Sequence, residues 1–322
     1  MKTALGIDIG GTKISITAGT NTGRLLSCVE LKTRSGREAK ASASELVHAC
    51  RYVVASLSPS ARAGLAGVGV CLPGAVDTAR GVVPKSPNLP GWQGLPLGAI
   101  LKKNLRLPVR LVNDANAAAI GEMLFGAAKG FKDFVYVTVS TGVGSGIVIN
   151  GQLLEGAGFV AGEIGHMTLV PDGDSCKCGK HGCLEAYTSG TAIETYIKKQ
   201  IRATNYKKLE RFRVDGRLAA RELSQAALRG DKLARAAFER SGRYLGVGLA
   251  NMMNTLNPSL IVLGGGVIKS APPVFWQALQ RSIKKEAWPE ALHNFQLKRT
   301  GLGTKAGNLG ALAVAFDSFK KR

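Results

Sequence analysis

One histidine and three cysteines, His166, Cys176, Cys178 and Cys183, fall within an 18-residue span. An imidazole nitrogen and three thiolates fill all four positions around Zn²⁺. With the sulfurs about 2.3 Å from the metal, no position is left open for a reacting water. Such a site fixes a loop and does no chemistry itself. Gly179 and Gly182, between the ligands, permit the tight turns this spacing demands. The spacing is closer than in a zinc finger, and a cluster of reduced thiols is the alternative for the same residues.

A second kind of chemistry is suggested by glycine turns. Gly10-Gly11-Thr12 follows the apolar run that ends in Asp8-Ile9, so backbone N–H groups there can approach an anion closely. Asp8 is then a candidate to hold Mg²⁺ through water, and Lys13 to neutralise phosphate oxygens. A second turn, Thr141-Gly142-Val143-Gly144, sits at the equivalent place in the second half of the chain and would clasp the same phosphates. Neither turn is a Walker A loop or a Rossmann fingerprint. A hairpin without ligand is the alternative for each. Asp114 follows the apolar run Val109–Asn113 and precedes an alanine-rich stretch. It stands where α/β sheets place ligands, and it is equally a candidate helix cap.

These pieces together resemble the ROK family of sugar kinases and related repressors. The zinc segment keeps every fixed position of that family's signature, from Glu163-Ile-Gly-His166 through Cys176-Lys-Cys178-Gly-Lys-His-Gly-Cys183-Leu-Glu185. Asp8-Ile-Gly-Gly-Thr-Lys13, Asn113-Asp114-Ala-Asn116, Thr141-Gly-Val-Gly144 and Leu263-Gly264-Gly265-Gly266 are similar to its other landmarks, in its order. The resemblance covers nearly the whole chain.

It implies an ATP-dependent hexokinase acting on the 6-hydroxyl of a hexose, glucose first and N-acetylmannosamine or another hexose as the alternative acceptor. Asp114 becomes the general base. Sugar contacts fall on Gly74, Asn113, Glu163, His166 and Glu185. Asn88 and Trp92 lie in a Pro/Gly-rich loop that would roof the sugar, and Gly264 and Gly265 become the adenosine turn. His166 would serve zinc through one ring nitrogen and the sugar through the other. His181 matches a variable position and is given no role. Mg²⁺ accompanies the ATP, with inorganic polyphosphate as the alternative donor, and a homodimer is implied. The family's repressors carry a helix-turn-helix domain ahead of this fold. Here the Asp8 motif begins at the eighth residue, and Asp8 and Asp114 are both present, so the expectation is an enzyme.

Composition agrees with a two-domain α/β protein. The chain has 322 residues, 45% of them apolar, and 41 glycines, enough for two cores and many tight turns. Its N-terminus enters a strand directly, with no signal-type apolar run, and no stretch of 18 apolar residues occurs, so a cytoplasmic protein is expected. Cys28, Cys50 and Cys71 lie scattered in apolar segments, unlike a secreted disulfide framework. The net charge is +21, and residues 196–243 hold fourteen basic and five acidic residues. Basic positions there alternate with helix-period Leu218, Leu223, Ala227 and Leu233, which reads as a solvated basic helical face with no nucleic-acid partner.

The elements that must position these residues alternate along the chain. Strands are predicted at 5–9, 13–18 and 25–31 as antiparallel neighbours, then a helix at 39–57 and a buried strand at 68–72. An irregular loop runs over 73–96, followed by a helix at 97–104 and a strand at 109–113. The pattern repeats with a helix at 115–129, strands at 134–140 and 146–150, and a strand at 260–263. The resemblance implies two actin-like, ribonuclease-H-like α/β domains facing a hinged cleft. The expected domains are residues 1–116, with helix 308–322 packing back on them, and residues 117–307, which carry the zinc loop 166–183.

Overall fold

The structure is a computed structural model and describes residues 1–33, 39–85, 89–214 and 218–317. Its strands are β1 Thr3–Ile9, β2 Lys13–Thr20, β3 Leu25–Lys32, β4 Leu65–Leu72, β5 Ala75–Asp77, β6 Val82–Lys85, β7 Val109–Asn113, β8 Phe134–Val139, β9 Val143–Ile149, β10 Gln152–Leu153, β11 Leu260–Gly264 and β12 Gln296–Arg299. The first sheet runs β3-β2-β1-β4-β7 and the second β10-β9-β8-β11-β12, with β5 and β6 forming a separate hairpin. The fold is mixed α/β with two sheets, as expected.

The first three strands are the antiparallel meander that their turns predict. From β1 the sheet continues in parallel to β4 and β7. Central parallel strands are covered on both faces and therefore read as near-continuous apolar runs. Leu5, Ile7, Val68, Val70 and Leu72 are accordingly all inaccessible to solvent. Helix Ala39–Ala55 packs against β2 and helix Ala306–Asp317 against β1 and β4.

Chain contacts define two compact units, Met1–Lys132 with Gly146–Ala161 and Thr300–Arg322, and Asp133–Ser145 with Gly162–Arg299. The contact division keeps residues 117–132 in the first unit, where the sequence reading puts them in the second.

Two local expectations differ. The glycine turn after β8 is shorter than the sequence suggests, because β9 begins at Val143 and takes Gly144 into the strand, three residues ahead of the expected start at Gly146. The stretch 73–96 is not irregular either: it contains the β5–β6 hairpin and a 3₁₀ turn at Pro90–Trp92. Trp92 is buried in the core of the first unit beside Leu89 and Leu95 instead of roofing a ligand. Its indole removes far more apolar surface from water there than it could in an exposed loop. Asn88 lies outside the described residues. Among the described residues, no helix is long and apolar enough to cross a membrane.

Candidate active site and metal centre

In the second unit, the nitrogen and sulfur donors of His166, Cys176, Cys178 and Cys183 lie within 4.8 Å of one another. Cys176 Sγ is 3.8 Å from His166 Nδ1, and Cys178 Sγ is 3.7 Å from Cys183 Sγ. A tetrahedron with bonds near 2.3 Å has edges of about 3.8 Å, so the donor set fits a closed Zn²⁺ site. The loop reaches this geometry through isolated bridges pairing Thr168 with Cys183 and Ser175 with His181. Gly182 has φ 73°, and a Cβ there would lie 1.7 Å from the Val170 carbonyl oxygen, so only glycine closes the turn. Burial pushes the Cys183 thiol up to about 12 and raises Cys176, whereas the backbone N–H of Lys180 draws exposed Cys178 downward. His181 faces the Gly173 carbonyl at 3.2 Å.

Arg240 anchors this loop to the helix Lys232–Leu256. Its guanidinium pairs with Asp174 at 2.5 Å and lies over the rings of Tyr187, Tyr196 and Tyr244. Tyr187 Oη in turn accepts the Asp174 N–H. Aromatic residues of the basic 196–243 segment therefore hold arginines of this same chain. Phe212 does likewise with Arg211 and Arg229. The helix-period residues Leu218, Leu223 and Ala227 are buried as expected.

Glu185 begins the turn that follows the last cysteine. Its Oε2 accepts the backbone N–H of Val143 at 2.8 Å, so a candidate sugar ligand is bonded to the candidate phosphate turn. Ser140 N–H closes that turn on the Gly142 carbonyl at 2.8 Å, and Thr191 Oγ1 donates to the Thr141 carbonyl at 2.8 Å. Thr141 and Glu185 both open onto a cavity of about 370 Å³ also lined by Lys177, Thr195, Tyr196 and Lys199. Glu163 is exposed at the start of the 3₁₀ turn Ile164–His166. At the end of β11, Gly264 packs against the Tyr136 ring, and Gly265, at φ 96°, crosses the Val139 backbone.

In the first unit, the helix-capping role that the sequence reading gave to Asp114 is filled by Asn113. Asn113 Oδ1 caps the helix Asp114–Phe125 by accepting the Ala115 and Asn116 N–H groups, and its Nδ2 donates to the Gly74 carbonyl at 3.0 Å. Asp114 is exposed in the first helical turn, with Oδ1 accepting the Ala115 N–H at 2.8 Å. Gly74 has φ 91°.

The turn after β1 is closed by Gly10 N–H on the Lys13 carbonyl, at 2.9 Å, and braced by Thr33 Oγ1 on the Gly10 carbonyl, at 2.7 Å. Thr12 gives its carbonyl to the Thr33 N–H, and Gly11 sits exposed between them. Lys13 Nζ pairs with Glu30 at 2.5 Å, both side chains well exposed. That pair raises the Lys13 pKa, Glu30 being the largest cause. Asp8 is partly buried, and burial raises its carboxyl pKa against the opposing effects of the Cys71 thiol and Lys13.

Sequence reading missed Cys71, Thr33 and Arg240. Cys71 was legible only through strand register, since β1 and β4 align Asp8 with Cys71.

The family model for "ROK family" matches residues 4–318. A glucokinase from Halalkalibacterium halodurans is 34% identical over 314 residues, covering 95% of this chain and 92% of that protein. A xylose repressor from Bacillus spizizenii is 32% identical over 261 residues, covering 81% of this chain and 64% of the repressor. Among solved structures, a ROK family glucokinase from Streptomyces griseus in complex with glucose and AMPPNP superposes with TM-score 0.79 at 34% identity, covering 98% of this chain and 99% of that one. With the zinc-type donor set, both glycine turns and Asn113-Asp114 in place, and a family match over nearly all its length, this chain belongs to the ROK family.

Proposed function

We propose that this protein transfers the γ-phosphoryl group of Mg-ATP to the 6-hydroxyl of a hexose, with glucose the favoured acceptor. It is a sugar kinase, a phosphotransferase with an alcohol acceptor. The observation that carries the reading is the division of labour at Asn113 and Asp114. Asn113 holds the helix N-terminus, which leaves Asp114 exposed there as a carboxylate. Such a group accepts the proton of the attacking hydroxyl, an effect typically worth about 10²–10⁴ in rate. The glucokinase relatives, and the AMPPNP and glucose held by the structural relative, support the same donor and acceptor.

In this reading Asn113, Gly74, Asn88, Glu163, His166 and Glu185 serve the sugar. Asp8, Gly10, Gly11, Thr12, Lys13, Thr141 and Gly142 serve the phosphates, and Gly264 and Gly265 the adenosine. Zn²⁺ is structural and fixes the loop carrying Glu163 and Glu185. Asp8 and the Gly10–Thr12 turn would hold the nucleotide's Mg²⁺, in a setting where Gly307 offers the Asp8 carboxylate a face without a side chain. When bound, that ion neutralises phosphate charge. The protein would work in cytoplasmic carbohydrate metabolism as a homodimer, which size-exclusion chromatography with light scattering tests.

A coupled ADP-release assay over a sugar panel tests the function directly. Glucose-dependent ADP release is expected. Turnover confined to N-acetylmannosamine would move the acceptor, and activity with polyphosphate alone would move the donor. The xylose repressor relative supports a second reading, a sugar-responsive regulator. Salt-dependent operator binding in a gel-shift assay with no turnover on any sugar would establish it.

A further inference from the structure

Asp8 has two neighbours that the kinase reading leaves unused. Cys71 is its register partner on β4, is buried to 1% exposure, and donates its thiol hydrogen to Asp8 Oδ1 at 3.3 Å. Gly307 opens the helix Ala306–Asp317 on the carboxylate's other side, where a Cβ would lie 1.9 Å from Oδ2 and 2.7 Å from Cγ. The carboxylate is thus gripped through one oxygen, while the backbone of Gly307 closes in on the other. Packing around the thiol is tight: Val112, Ala117, Ile120, Ala311 and Val314 share its cluster, and Cys71 Sγ also lies 3.8 Å from the Gly307 carbonyl. The thiol has little room to turn.

We propose that Cys71 and Gly307 are positioning residues for Asp8, fixing its carboxylate in the one rotamer that receives the divalent cation of the nucleotide. The inference rests on the kinase reading, which supplies that cation. A thiol is a weak donor, yet this one is buried among apolar side chains, so turning the carboxylate away would cost the thiol its acceptor in dry surroundings, and that cost biases the rotamer. Gly307 acts by exclusion, since any side chain would push Asp8 aside. Groups that orient a metal-binding carboxylate typically change metal affinity about 10- to 100-fold when removed.

The test uses the full chain and three variants, Cys71→Ala, Cys71→Ser and Gly307→Ala, each first checked for wild-type-like circular dichroism and thermal unfolding. Mn²⁺ is titrated in the presence of ADP, and the free ion is read by electron paramagnetic resonance. Glucose affinity is followed separately by intrinsic fluorescence. Cys71→Ala is expected to weaken Mn²⁺ binding roughly tenfold, Cys71→Ser to restore it to within about threefold of wild type by donating a hydroxyl to the same oxygen, and Gly307→Ala to weaken it by more than tenfold. Glucose affinity should stay unchanged in all three, and the Mg²⁺ concentration for half-maximal turnover should move with the Mn²⁺ constants. Wild-type Mn²⁺ binding in Cys71→Ala, Ser and Ala variants equally weak, or no Mn²⁺–ADP binding by the wild type would each overturn the inference. A wild type that binds Mn²⁺–ADP but phosphorylates no sugar would instead sink the kinase reading, leaving Asp8 to be judged by the variants.

Discussion

Glu185 Oε2 accepts the Val143 N–H at 2.8 Å, and a Cβ placed on Gly142 would lie 2.5 Å from the same oxygen. At the other end of the loop that carries the His and Cys donors, a Cβ on Gly165 would lie 2.3 Å from the Val143 carbonyl oxygen. The loop thus grips the Ser140–Val143 turn from both of its ends. Gly142→Ala must displace the Glu185 carboxylate. It is expected to raise the KM for glucose and for ATP together, each by about tenfold or more, since a charge-assisted hydrogen bond is worth about 1.5–3 kcal/mol. Steady-state kinetics with each substrate varied in turn checks this; a rise in only one constant would show that turn and carboxylate act separately.

Asp114→Asn should lower kcat at least about 100-fold and leave glucose affinity within a few-fold. The helix should survive, because its cap is Asn113. Calorimetric binding of glucose beside steady-state turnover separates the two effects, and wild-type kcat would remove Asp114 from the mechanism.

Purified protein is expected to contain about one zinc ion per chain, the capacity of one four-donor set. Cys178→Ser should lose it together with thermal stability and sugar binding, because ligation and ordering of the loop are coupled. Elemental analysis and a melting curve in the presence of chelator read this out. A wild type free of zinc would refute the prediction.

Glu122 is fully buried, and its carboxylate accepts N–H groups of Ala127, Gly301 and Leu302 and the Thr300 hydroxyl. It ties the end of helix Asp114–Phe125 to the strand exit at residues 300–302. Glu122→Ala would take the acceptor from four donors, the Leu302 N–H among them buried, and the expected loss is about 2 kcal/mol or more in urea unfolding. A loss below about 1 kcal/mol would mean that water replaces the carboxylate.

Burial holds the Asp8 carboxyl above its usual range. The folded state therefore keeps this proton longer than the unfolded chain does, so the group's contribution to stability falls as pH rises from about 3.8 through the raised folded value. The cost grows as pH rises through that raised value. Asp8→Asn, without nucleotide or cation, is expected to unfold at a higher temperature than wild type at pH 7, with the difference shrinking toward pH 4, while kcat collapses. Equal melting temperatures at pH 7 would show that the site is wetter than its burial implies.

What the sequence made legible was local. The four His and Cys donors are close in the chain and close in space. The antiparallel meander follows from its turns, and a helix after Asn113 follows from the cap. Contacts that depend on register across long separations were illegible. Cys71 reaches Asp8 only because β1 and β4 pair in parallel, the two positions being 63 apart in sequence. Glu185 reaches Val143 across 42 residues. Trp92 was misread because Pro and Gly content signals irregular backbone and is silent about which side chains that backbone tucks inward. Gly144 was assigned to the turn because glycine disfavours strands in general, whereas β9 already begins at Val143; Gly146, read as the first residue of the strand, lies where Ala119 approaches.

The helix Ala306–Asp317 carries a consequence for how the chain matures during synthesis. It lies directly on β1 and β4, with the Leu312 amide and the Ala311 carbonyl against Gly6 and Gly69. The sheet face that β1 and β4 present to this helix must therefore stay uncovered until residue 317 has left the ribosome. The second unit draws on nothing beyond residue 299, so its strands can pair while the earlier-made unit is still unfinished. Order of synthesis and order of completion are reversed, and the exposed apolar faces of β1 and β4 become the nascent chain's period of greatest exposure to aggregation and to chaperones.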